Sequence, residues 1–124
     1  MIHLDTSFLI RSLVAGSAED SALRQWIASG EELGMCTVAW AEFLCGPVDE
    51  TTRDLAAVFI QNRIEFSEQH ATVSAELFNR SGRRRGSIID CMIAAAAICD
   101  NASIAAANTR DFRKFENAGL RLAV

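Results

Sequence analysis

MIHLDTSFLI, residues 1–10, opens on a strand-like run, Met1 to Leu4, and turns at Asp5 into a helical repeat that starts at Thr6 or Ser7 and continues through Val14. A strand feeding straight into a helix is the first half of a β-α-β unit. Open α/β sheets place their sites at the carboxyl ends of strands, so Asp5 is marked by position before its chemistry is considered.

Outward from this stretch, short strand-like runs keep alternating with longer helical ones. Ser17 to Ser29 is helical, with Ala22, Leu23, Trp26 and Ile27 at helical spacing and Gly30 as a stop. Gly34 to Val38 reads as a strand, and Thr37 can cap a helix carrying Trp40, Glu42, Phe43 and Leu44 that ends at Gly46-Pro47. A helix over Thr51 to Gln61, a strand near Ile64 to Phe66 and a helix over Glu68 to Asn79 follow. Ser81 to Gly86 is a polar basic loop, and Ser87 opens a strongly apolar helix to Cys99. Ala102 to Ala107 is a buried-strand candidate, Arg110 to Asn117 a last helical turn or two, and Leu120 to Val124 a closing strand. The alternation predicts one α/β domain over residues 1–124, with a mostly parallel central sheet flanked by helices.

A chain of 124 residues suits one hydrophobic core, and 50% hydrophobic with 23% charged residues is ordinary for a soluble globular protein. The longest apolar run, Cys91 to Cys99, is far short of the ~20 residues that cross a bilayer. No basic patch and apolar core of a signal peptide is visible, so the expected location is the cytoplasm. Cys36, Cys45, Cys91 and Cys99 have neither CxxC spacing nor histidine partners and are expected to be small buried hydrophobes in a reducing compartment. The net charge of −4 argues against a broad electrostatic grip on nucleic acid. It does not argue against a carboxylate site that meets phosphate with metal charge. Eleven of the twelve basic residues are arginine, the better partner for phosphate forks.

The acids fall in informative places. Asp5 follows the first strand, Glu42 is the one acid in TVAWAEFLCG, Asp90 enters the apolar SIIDCMIAAAA near its start, and Asp111 follows the last internal strand in ASIAAANTRDF. Each has a plain structural role open to it: Asp5 as a helix cap, Asp90 and Asp111 as first-turn acids that offset a helix dipole. Four carboxylates in apolar company are harder to account for one at a time, because a buried acid needs a partner. If they converge they raise one another's pKa unless a cation intervenes. Mg²⁺ or Mn²⁺ accepts such hard oxygen ligands and lowers the pKa of water for attack on a phosphodiester.

LDTSFLI, the AEFLCG segment, the run GRRRGSIIDCMIAAAA and the ending NTRDF together resemble the ordered motifs of PIN domains, and more narrowly of VapC-type toxins of toxin–antitoxin pairs. The resemblance covers nearly the whole chain in order. It implies a PIN fold, Mg²⁺- or Mn²⁺-dependent endoribonuclease activity on an RNA substrate, inhibition by a cognate antitoxin, and a homodimer. Asp5, Glu42 and Asp90 match the family's three core acids. The fourth falls either at Asn108 or at Asp111; Asp111 is the choice here, with Asn108 as its helper, and the departure at Asn108 leaves one or two metal ions open. The family often has a hydroxyl residue where Ala106 stands.

Ser7 could hold a metal-bound water or phosphate, or could make a helix-start hydrogen bond; Thr109 is similar. Arg83, Arg84 and Arg85, the one basic cluster, could clamp RNA phosphates or form a solvated loop or antitoxin contact. His3 and His70 are too isolated to serve as ligands. A phosphoaspartate receiver would need an acidic pair after the first strand, and a haloacid-dehalogenase-type phosphatase a second acid where Ser7 stands. The stronger rival is a PIN-like module that binds RNA or a partner without cutting. An antitoxin would be expected to lay a helix along an apolar groove and push a basic side chain into the acid pocket.

Overall fold

The computed structural model describes residues 1–123. Its five strands are all parallel and lie in the order β3-β2-β1-β4-β5. Central strand β1 (Ile2–Leu4) pairs with β2 (Leu33–Cys36) on one side, Ile2 opposite Leu33, and with β4 (Ser103–Ala105) on the other, Leu4 opposite Ala105. β3 (Asn62–Ile64) and β5 (Arg121–Leu122) form the edges. Parallel strands need crossovers rather than hairpins. The crossovers are α1 (Thr6–Ser12) with α2 (Ala18–Ala28), α3 (Thr37–Cys45) with α4 (Glu50–Phe59), and α5 (Glu68–Arg80) with α6 (Ile88–Cys99). The short α7 (Arg110–Arg113) and a 3₁₀ turn at Glu116–Ala118 precede β5.

The strand order positions the site. From β1 the chain winds outward to β3, then returns to the far side of β1 with β4, so the winding reverses between β1 and β4. Open sheets form their ligand crevice at the carboxyl ends of strands beside such a reversal. Asp5 leaves β1 there, and residues 106–111 leave β4 there.

Local chemistry explains where helices begin. The Asp5 carboxylate accepts from the Ser7 amide to cap α1, and Ser17 accepts from Asp20 to cap α2. Ser67 and His70 form a reciprocal capping box at α5. The apolar character of α6 all round is that of a buried helix: Cys91, Ile93 and Ala94 through Ala97 are all buried, and the small alanines let neighbours approach closely. α5 packs on α6, and α1 packs on α2 through Phe8 and Trp26, whose rings stack with centroids 5.4 Å apart. Leu4, Met35 and Ile104 of the central strands, with Phe8, Phe43, Phe112 and Phe115, fill the core, each large side chain contributing about 1.5–3 kcal/mol through burial. The α5–α6 turn takes left-handed backbone at Gly82, Gly86 and Arg83; only Arg83 (φ 57°) bears a side-chain cost there, about 1–2 kcal/mol.

Several sequence expectations shift. Thr37 does not cap α3: Cys36 is the cap position, Thr37 is the first helical residue, and its hydroxyl accepts from the Phe66 amide at 3.3 Å, tying α3 to the end of β3. β2 therefore stops at Cys36 instead of Val38, and β3 lies two residues before the predicted segment. The closing strand shrinks to Arg121–Leu122; its predicted end, Val124, lies outside the described residues. Cys45 is exposed rather than buried, because α3 turns that residue outward at its end. Among the described residues, no helix is long and apolar enough to cross a membrane.

Candidate active site

Asp5 is 7% exposed, and its position is over-determined. Its amide donates to the Ala105 carbonyl at 2.9 Å, extending the β1–β4 ladder to the rim. Its carboxylate accepts from the Ser7 hydroxyl at 2.5 Å and the Ser7 amide at 3.3 Å. The same hydroxyl accepts from the Ala107 amide at 3.3 Å. Ser7 thus fastens the carboxylate after β1 to the chain leaving β4. It supports Asp5, and both of its hydrogen-bonding capacities used in these contacts are taken up. Burial drives the Asp5 pKa upward, the Ser7 hydroxyl and the Ser7 and Thr6 amides pull it down, and the charge of Asp111 pushes it up again.

Asp90, in the first turn of α6, is half-buried, and its carboxyl is pushed up to about 6. Burial is the largest cause, followed by the charges of Asp5 and Asp111; Lys114 opposes the shift, and Glu42 adds to it. Asp111 is exposed on α7, where the Asn108 amide donates to its carboxylate at 3.3 Å. The Asn108 carbonyl oxygen accepts from the Arg110 amide at 3.3 Å, so Asn108 acts as a brace for Asp111. Thr109 is the cap position of α7 and makes no side-chain cap bond.

Glu42 departs from expectation. It is exposed, not buried in an apolar helix, because α3 presents Ala41, Glu42 and Leu44 outward. Its carboxylate accepts from the Thr6 hydroxyl at 2.9 Å; that hydroxyl is also 3.0 Å from the Ala39 carbonyl, so one proton serves two acceptors. Thr6 is a site residue that sequence reasoning missed, and the signal was its place directly after Asp5. Lys114 is another: it follows Asp111 by three residues, and its charge is felt at Asp90.

The four acids thus come within range of one another's charge at one end of the sheet. Among the described residues the ion pairs are His3–Asp100, Arg11–Glu19 and Arg24–Asp20, none of which neutralises them. Their all-oxygen, anionic donor set fits Mg²⁺ or Mn²⁺. As they stand, no three His, Cys, Asp or Glu side chains among the described residues are grouped closely enough to hold an ion alone.

Other residues fall outside this cluster. His3, buried in β1, lies 3.0 Å through Nε2 from the Asp100 carboxylate, and burial lowers its pKa against the pull of Asp100. His70 serves the capping box. Arg83, Arg84 and Arg85 are exposed on the loop before α6, with no ion pair among the described residues.

Comparison with known proteins adds to this geometry. The PIN domain family profile matches residues 2–118. No curated protein matches the sequence. Similar solved structures include VapBC2 from Rickettsia felis bound to a DNA fragment from its promoter (21% identity, covering 98% of this chain and 97% of that one, TM-score 0.76). VapBC-1 from nontypeable Haemophilus influenzae is also similar (20% identity, 98% and 96% covered, TM-score 0.74). So is Mycobacterium tuberculosis VapC20, described as a sarcin-ricin loop cleaving toxin (18% identity, 97% and 96% covered, TM-score 0.68). At these identities the likeness is one of fold.

Proposed function

The chain belongs to the PIN domain family, and on that premise we propose that it is a metal-dependent endoribonuclease, the toxin of a toxin–antitoxin pair. The observation that carries this reading is the set of carboxylates without an ion pair among the described residues, Asp5, Asp90 and Asp111 with Glu42, that feel one another's charge where the sheet reverses. A bound Mg²⁺ or Mn²⁺ would offset phosphate charge and lower the pKa of the attacking water. Asp5 and Asp90 would hold it, with Glu42 and Asp111 at the margin. Ser7 keeps Asp5 in one orientation, and Asn108 braces Asp111. In the metal-free chain the Asp90 carboxyl stands at about 6, so near neutrality its ionised form is available to take up the ion. Hydrolysis adds water across a P–O bond, so one proton must leave the water and one must reach the leaving oxygen.

The test is metal dependence. Purified chain, free of any partner, is expected to cleave RNA in pooled tRNA, rRNA or mRNA with Mg²⁺ or Mn²⁺, to stop on adding EDTA, and to resume with excess metal. No cleavage of any pool with either ion would favour the rival reading, a non-cutting PIN-like module, to which the lack of a ready-made three-residue metal group among the described residues lends its one support.

An antitoxin has a place to bind. A groove of about 420 Å³ runs between α1, α2 and α4, lined by Leu9, Leu13, Leu23, Ile27, Leu55 and Phe59. Leu55 is 49% exposed, and Val58 beside it 66%. Contiguous exposed apolar surface of this kind marks an interaction face; one solved structure of the same fold is described as a toxin–antitoxin complex and another as a member of the VapBC family of toxin-antitoxin systems. The proposed partner lays an apolar segment into this groove. Leu55→Asp, at an exposed position, should leave melting unchanged and weaken co-purification with the small product of a neighbouring gene by about tenfold or more. Undiminished capture would place the partner elsewhere.

A further inference from the structure

Between the last turn of α5 and the turn after α7 lies a second, smaller cleft of about 100 Å³. Leu77 and Phe115 make its floor; Arg80, Ser81, Lys114 and Asn117 make its rim. The rim offers a guanidinium, an ammonium and an amide as donors suited to an anion, the Ser81 hydroxyl already donating to the Phe78 carbonyl at 3.3 Å, and no carboxylate lines it. Neither cation is ion-paired among the described residues. The Lys114 ammonium lies 5.1 Å from the Phe115 ring centroid, which seats it against the floor.

The cleft adjoins the acids. Lys114 continues the helical backbone of α7 (φ −61°, ψ −15°) three residues after Asp111, so the two share a face. The charge of Lys114 also reaches Asp90. Arg80 has a local reason to sit where it does, since a cation in the last turn of α5 offsets the helix dipole. That reason does not extend to Lys114 or to two unpaired cations facing one cleft, where they repel unless an anion joins them.

We propose that this cleft binds the RNA phosphate next to the one that is cut, with Arg80 and Lys114 as positioning residues. The inference rests on the ribonuclease reading, but binding can be measured without cleavage. In EDTA, the whole chain is titrated with a fluorescein-labelled, mixed-sequence single-stranded RNA over a range of NaCl concentrations. The double variant Arg80→Gln/Lys114→Gln should bind about tenfold more weakly and flatten the plot of log K against log salt by about 0.7, the value for one phosphate on a single strand. Arg80→Lys, which keeps the charge, should restore the slope. With metal supplied, Arg80→Gln alone, which leaves Lys114 and its charge near Asp90 in place, should raise KM severalfold and leave kcat within about twofold, as expected when binding is lost equally from ground and transition states.

An unchanged slope and KM in a variant that melts like wild type would overturn the subsite while leaving the nuclease reading intact. Loss of slope without any cleavage by wild type would do the reverse. Wild-type protein that binds no RNA overturns the subsite as well. Should the double variant melt early, Lys114→Gln alone, at an exposed position, carries the same comparison of binding and salt slope in EDTA.

Discussion

Asp5→Asn is expected to slow RNA cleavage by about 10³-fold or more, roughly 4 kcal/mol of transition-state stabilisation, while the protein melts within a few degrees of wild type. The two halves of this expectation have separate causes. Asparagine keeps the shape and an acceptor oxygen, so the Ser7 hydroxyl and amide still have a partner and α1 keeps a good cap. Burial already disfavours the charged form of Asp5, so removing the charge costs the metal-free fold nothing. What disappears is the fixed negative charge at the point where β1 and β4 deliver their ends. Asp90→Asn should behave alike, since Asp90 is the acid most strongly coupled to the others. Asp111→Asn and Glu42→Gln, at exposed positions, should cost less, in the order of tenfold to a hundredfold. Single-turnover cleavage with Mn²⁺, beside melting followed by circular dichroism, reads both quantities. A wild-type rate in the Asp5 or Asp90 variant would remove that residue from the site.

Much of this was legible in the chain. The strand-to-helix step at Asp5 and the long apolar helix after Ser87 fix an α/β fold, because each signal spans enough residues to have a period. The strand ends were less legible. Strands of two to four residues, whether buried as β2 is or at the sheet edges as β3 and β5 are, are too short for an alternation from which to read their limits. Glu42 was misjudged for a related reason. The outer face of α3 is itself apolar, with Leu44 exposed beside Glu42, so apolar neighbours in sequence did not mean burial in space. The role of Ser7 stood open between ligand and helix-start contact, and the structure favours the contact, because it takes a long-range neighbour, Ala107, to occupy the hydroxyl. The cleft at Arg80 and Lys114 joins residues from two distant elements, and no local pattern reports such a meeting.

At Mn²⁺ well below saturation, cleavage should also fall by about tenfold for each pH unit below about 6, and saturating Mn²⁺ should move that fall to lower pH, because proton and metal compete for the same carboxylates. Asp90 carries the argument. Its carboxyl, ordinarily at 3.8, is raised to about 6 in the folded chain, so between these values the metal-free fold holds a proton that the unfolded chain has released. By linkage this group stabilises the fold most below about pH 4, and that contribution is lost as pH rises through 6. A divalent ion reverses the trend, because it binds the ionised cluster of the folded state and displaces the proton. Mn²⁺ should therefore raise the melting temperature markedly at pH 7.5 and hardly at pH 5. Asp90→Asn should remove the Asp90 share of the metal-free pH dependence and most of the metal effect. The informative quantity is the difference between wild type and Asp90→Asn. His3, lowered by burial, and Asp20 and Asp49, lowered by hydrogen bonds, all favour the fold as pH rises and mask Asp90 in the raw curve. Asp5 shifts in the same direction as Asp90, and its share, common to both proteins, cancels in that difference. If wild type and Asp90→Asn show parallel melting profiles from pH 4 to 8, with and without Mn²⁺, the repulsion among the acids is too weak to need a cation. The case for a metal site would then have to rest on family membership without the support of electrostatics.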